Sequence, residues 1–228
     1  MSRQDEFKSN TNPATHYVTW KSNEKTFEAY DKEAKAKDLK KLPFEFTVLK
    51  VGSSVKGWND EQEAAIYSNI ITNSIKQDLS VRCGNSVIAS GKYQAIKNEV
   101  VAAGAHFETN IFAMHDGGIV MISLKGAALG KWFDFTKVNK NKLVSNSVIV
   151  KGSLEGKKGA VKFNTPVFEL GAVLSVDDAN AANKAYDLVD GYLDSPVEEV
   201  EATEDVTDMD VDFETITPDE GKVDDLPF

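Results

Sequence analysis

Three features of the sequence predict a mainly β fold with helices. Apolar and polar residues alternate with period 2 in several short runs, Gly-Asn and Asp-Gly-Gly turn signals separate some of those runs, and few stretches carry a 3.6-residue period. With 41% apolar residues in 228, the chain can fill one sizeable core and still carry appendages.

The elements follow in order. From Lys21 to Lys41 the chain is dense in Lys, Glu and Ala, and Phe27, Tyr30 and Ala34 fall at i, i+3 and i+7. That spacing predicts an amphipathic helix within an N-terminal arm, residues 1–41. In "LPFEFTVLKV" apolar residues alternate with Glu45, Thr47 and Lys50, which predicts a first strand from Pro43 to Val51. A long polar insertion with Gly52, Gly57 and Trp58 follows and runs through "AAIYSNIITN". "DLSVRCGNSVIAS" predicts two strands about Gly84-Asn85, a dipeptide suited to a tight hairpin turn. Tyr93, Ile96, Val100 and Ala103 share a helical face, and Gly104 stands where a left-handed cap closes the helix. "HFETNIFAM", "HDGG" and "IVMISLK" predict a second hairpin. Beyond it come a short helix at "GAALGKWFDF", a basic hairpin from Ser147 to Leu170 and a last helix from Ala181 to Tyr192.

The order strand, long loop, strand, strand, helix, strand, strand is that of an OB-fold, a five-stranded barrel whose sheet face and long loops bind oligonucleotides. It is expected in residues 42–193, with the basic hairpin as an addition. Residues 194–228 have isolated apolar residues, Pro196 and Pro218 in their interior and no period, which predicts a disordered tail.

Charge divides along the same boundary. Against the net −10 of the chain, residues 194–228 hold 14 acids and one lysine, Lys222, which is −13 and leaves +3 for the body. A basic body carrying an acidic tail suits an anionic ligand for the body and a different partner for the tail. No apolar run is long enough to span a bilayer, and "MSRQDEFKSN" lacks the apolar stretch of a secretory signal. The single cysteine, Cys83, has no partner within the chain for a disulfide. A cytosolic protein is expected.

Catalysis finds no footing. His16, His106 and His115 are scattered, and no second cysteine completes a zinc set. Gly52 and Gly57 have the glycine spacing of a phosphate loop, but Trp58 and Asn59 occupy the positions that need Lys and Ser or Thr. Neither a metal nor a cofactor is expected.

Binding signals are stronger. Lys131 to Lys162 contains eight lysines and two acids, Asp134 and Glu155. Aromatic residues interleave with basic ones, as in proteins that hold phosphates on cations and stack bases on rings. The candidate nucleic-acid contacts are Lys50, Lys56, Trp58, Tyr67, Arg82, Lys92, Tyr93, Lys97, Lys131, Trp132, Lys151, Lys157, Lys158 and Lys162. Trp58, among Gly57, Asn59, Asp60, Glu61 and Gln62, has the clearest claim to exposure, and Arg82 is the leading phosphate contact of the barrel. Trp132 has two readings: a ring exposed beside Lys131, or one packed with Leu129 and Phe133 on a helix.

The last five residues, Asp224, Asp225, Leu226, Pro227 and Phe228, resemble the C-terminal tip of bacterial single-stranded DNA-binding proteins, with Leu226 where Ile is usual. "IYSNIITN" and "LKGAALGKWFDF", within about Lys41 to Leu170, look like the single-stranded DNA-binding proteins of bacteriophages. This resemblance implies a protein that coats single-stranded DNA during phage replication, recombination or repair in the cytoplasm of an infected bacterium. It also implies recruitment of replication or repair proteins through the tip, and possible self-association. An apolar Phe228 flanked by carboxylates suits an apolar pocket with a basic rim on a partner. The tethered acidic tail is also expected to compete with DNA for the basic body. The alternative is an adaptor or inhibitor that docks on a host replication protein through its tail without gripping DNA.

Overall fold

The computed structural model of the chain describes residues 11–194. Apart from Asp194, which is helical, the acidic tail with its five-residue tip lies outside the described residues, as does the start of the N-terminal arm.

The segment expected to be a helix forms three strands instead: β1 (His16–Lys21), β2 (Thr26–Asp31) and β3 (Ala36–Leu39). The burial period here is 2, with Phe27 and Ala29 inward and Tyr30 on the other face. Lys25 and Lys35 take left-handed backbone at the two turns (φ 56° and 49°), and Asp31 Oδ1 accepts from the amides of Glu33 and Ala34. High Lys, Glu and Ala content thus yields to turn chemistry and to the core demand of Phe27.

The expected first strand is the start of a much longer one, β4 (Phe44–Asn59), which takes in Gly52, Gly57 and Trp58. A bulge between Val48 and Lys50 rephases it, so that Phe44 and Phe46 enter one core and Val55 another. Gly57 permits a close crossing, because a Cβ there would collide with the backbone of Gly104 and Ala105. Chain reversal brings in β5 (Ala64–Ser68), then β6 (Leu79–Cys83) and β7 (Ser86–Gly91) about Gly84, whose φ is 54°. Helix α1 (Tyr93–Ala102) buries Ile96 and Val100 and ends at Gly104 with φ 92°, as expected. The hairpin β8 (Ala105–His115) and β9 (Gly118–Lys125) also matches its expectation, as does a helix at "GAALGKWFDF", α2 (Gly126–Asn139). The basic hairpin is β10 (Asn146–Lys158) with β11 (Val161–Val173). Helix α3 (Val176–Asp194) starts five residues earlier than expected; Ser175 Oγ accepts from the Asp178 amide and donates to Asp178 Oδ2, capping its first turn.

The strands line up as β3-β2-β1-β9-β8-β4-β5-β6-β7, with β10 paired to the first residues of β4 and β11 to β10. The architecture is mainly β with three α-helices, and the sheet is open: among the described residues no ladder joins its ends. The closed five-stranded barrel expected from element order is therefore not what the ladders form. Part of the sheet curls over α2, and β11 reaches the β1–β2 turn through side chains: Trp20 Nε1 donates to the Asn164 carbonyl (2.8 Å), and Ser22 Oγ accepts from the Asn164 amide (2.8 Å).

Two cores occupy one side of the sheet. The larger joins β1, β2, the start of β4, β8, β9, β10 and β11 to α2 through Phe27, Phe44, Ile111, Ile122, Trp132 and Phe168. The smaller holds α1 against the end of β4 and β5, β6 and β7. The opposite side of the central strands carries α3, which buries Ala185 and Val189, and Ile70 lies against that side at Gly52. No described helix is long and apolar enough to cross a membrane.

Candidate nucleic-acid interface

The face turned away from both cores is set by strand parity. On β4 it displays Lys50, Gly52, Ser54, Lys56 and Trp58; on β8, His106, Glu108, Asn110 and Phe112. Register then aligns residues far apart in sequence. Lys56 lies opposite Tyr67 of β5 on one side and His106 of β8 on the other, and Tyr67 lies opposite Arg82 of β6. Trp58 stands two residues beyond Lys56 on the same face, and Lys125 of β9 is opposite Glu108. Directly opposed residues on a sheet place their Cβ atoms about 5 Å apart. Lys56, Trp58, Tyr67, Arg82, His106 and Lys125 therefore form one continuous polar and aromatic patch. Lys125 is exposed and the other five are partly exposed. Tyr67 is fixed in place by its hydroxyl, which donates to the Gly84 carbonyl at 3.0 Å.

Beneath the cations runs a buried polar chain. Ser123 Oγ donates to Asn110 Oδ1 (2.8 Å), Asn110 Nδ2 to Ser54 Oγ (2.7 Å), and Ser54 Oγ to Glu108 Oε1 (3.1 Å). Burial raises the Glu108 pKa, opposed by Lys56, by the Ser54 hydrogen bond and by Lys125. Burial also pushes His106 down to about 4, helped by Lys125 and Lys56, so that its imidazole is neutral near pH 7.

Of the residues expected from sequence, Lys56, Trp58, Tyr67 and Arg82 come together here. Lys50 shares the face but is taken: its Nζ pairs with Asp190 and sits over the Tyr186 ring (5.7 Å to the centroid), so it secures α3 to the sheet. Lys92, Tyr93 and Lys97 belong to the start and body of α1, on the core side of the sheet. There Lys92 pairs with Asp78 (2.8 Å), and Tyr93 packs on Phe107 with ring centroids 4.6 Å apart. These three do not join the patch. Trp132 is 2% exposed in the larger core, which rules out a stacking role.

The lysine-rich segment does not form a single cradle. Its cations stand on α2, on the turn after it and on the β10–β11 hairpin, whose inner faces all serve the larger core. Lys131 lies 3.9 Å from Asp134, Lys151 2.7 Å from Glu169 and Lys162 3.2 Å from Glu155. Lys157 and Lys158 close β10 at the hairpin tip. The groove between α2 and β11, about 400 Å³, is lined largely by Phe135, Val138, Leu154, Pro166, Val167 and Phe168. It is an apolar slot and not a cationic channel.

His106 and Lys125 were missed from sequence, although a signal existed. In "HFETNIFAM" the polar residues His106, Glu108 and Asn110 alternate with core positions, and counting back across the "HDGG" turn sets Lys125 opposite Glu108. Among the described residues, His, Cys, Asp and Glu do not gather in a group of three that could hold a metal. No protein-family model matches the chain, and neither a curated protein nor a solved structure matches it.

Proposed function

We propose that the protein binds single-stranded nucleic acid across this sheet face, with little sequence preference, as a coating protein of DNA replication or recombination. The observation that carries the reading is the cross-strand row Lys56, Tyr67, Arg82 with Trp58, His106 and Lys125 beside it. Cations spaced along a sheet hold successive phosphates, while Trp58 and Tyr67 offer rings on which bases of any sequence stack. A flat patch of this kind reads the faces of unpaired bases, which duplexes hide. The acidic tip, Asp224 to Phe228, completes the proposal: a phage-type protein whose body takes DNA and whose tail recruits replication or repair proteins.

Titration with oligo-dT over a range of salt concentrations tests the body's role. Three cations of the patch acting on phosphates give a log–log slope of about −2 for single strands. Tryptophan emission falls on binding, because Trp58 stacks. Full-length protein that leaves oligo-dT unshifted at every salt concentration, yet captures a replication protein through its tail, would establish the adaptor reading instead.

A further inference from the structure

Glu108 is the unusual group of the face. It is a carboxyl only 7% exposed, set under the patch and not beside it. The hydroxyl and amide donors of Ser123, Asn110 and Ser54 form a chain that ends on its Oε1. Three strands pack around it and contribute the charged and titratable groups that face it: Lys56 from β4, His106 from β8 and Lys125 from β9. Further out on the same face are Tyr67 on β5, Lys21 on β1, which pairs with Glu28, and Lys50, held by Asp190 of α3. Within this cluster Lys56 and Lys125 are the positive charges that act on the carboxyl, and both are also positions from which phosphate would be held.

We propose, resting on the reading above, that Glu108 couples nucleic-acid binding to proton uptake: phosphates that engage Lys56 and Lys125 withdraw the charges that balance the carboxylate, and Glu108 takes a proton from solvent. The sign follows from linkage. Neutralising the two lysines and adding phosphate charge both favour the protonated carboxyl, so the complex binds more protons than the free protein, and affinity rises as pH falls. One proton gives up to about tenfold in affinity per pH unit, across the interval between the titration of Glu108 free and in the complex. His106 responds in the same direction, because phosphate near Lys56 and Lys125 also favours its protonated form. The two are told apart by substitution.

Oligo-dT is the suitable probe, since its bases and phosphodiesters do not titrate between pH 5 and 8. Its affinity for the full chain is measured across that range at constant ionic strength, for wild type, Glu108→Gln and His106→Gln. Gln keeps an oxygen to accept from Ser54 but cannot take up a proton. The expected result is a rise in wild-type affinity toward low pH that flattens in Glu108→Gln and persists in His106→Gln. Calorimetry of wild type in two buffers of different ionisation heat provides a mutation-free readout, with net proton uptake on binding. A wild-type slope retained in Glu108→Gln, or binding with no proton uptake, overturns the proposal while leaving the binding face intact. Absence of oligo-dT binding at every pH overturns the face itself.

Discussion

Trp132→Ala is expected to destabilise the fold by about 3 to 5 kcal/mol, as large-to-small changes of a buried aromatic do. The indole is 2% exposed and packs on Phe168 edge-on at 5.3 Å between centroids, on Phe135 at 5.7 Å and on Phe46 at 6.4 Å. It therefore ties α2 to β4 and β11, and the void left behind spans elements that cannot collapse independently. Against a total stability of roughly 5 to 15 kcal/mol, such a loss moves the urea midpoint far down. Molecules that remain folded keep their affinity for oligo-dT, because Trp132 is on the core side of the sheet. A variant of normal stability with impaired DNA binding would show that the ring is exposed and used.

The triple substitution Lys56→Ala, Arg82→Ala, Lys125→Ala is expected to have the opposite profile. Each phosphate contact on a single strand contributes about 1 kcal/mol near 0.1 M salt, so the three together lower affinity roughly a hundredfold and take about 2 from the salt slope. Stability changes little by comparison, since the three side chains are at the surface and Glu108 can protonate once its balancing charges are gone. The corresponding triple change on the hairpin, Lys151→Ala, Lys157→Ala, Lys162→Ala, is the control and has a smaller effect, because the β10–β11 hairpin does not contribute to the sheet face that carries Trp58 and Tyr67. Equal losses from the two triples would move the interface toward the hairpin.

How much of this was legible differs from element to element. Strands with strict alternation and hairpins with a marked turn were readable: Gly84-Asn85 and "HDGG" fix their pairs, and α1 shows in Tyr93, Ile96 and Val100. Residues 21–41 were not, because their composition favours a helix while the decisive features are left-handed turns at Lys25 and Lys35 and the long-range pairing of β1 with β9. Trp58 reads as a loop residue among polar neighbours, yet β4 runs on to Asn59, because Gly57 allows the backbone of Gly104 and Ala105 to approach. The candidate site shows the same division. Residue type alone singled out Lys56, Trp58, Tyr67 and Arg82, whereas their meeting on one face depends on the β4–β5 and β5–β6 registers. Lysine density between Lys131 and Lys162 misled, since local charge in sequence says nothing about which elements share a surface.

The most direct measurement of the central claim is photocross-linking of full-length protein to an oligo-dT carrying bromodeoxyuridine, with the adducts mapped to peptides. Adducts concentrated at Trp58 and Tyr67, and lost in the Lys56, Arg82, Lys125 variant, are the predicted result. Adducts confined to the β10–β11 hairpin or to α1, with none on the sheet face, would contradict it.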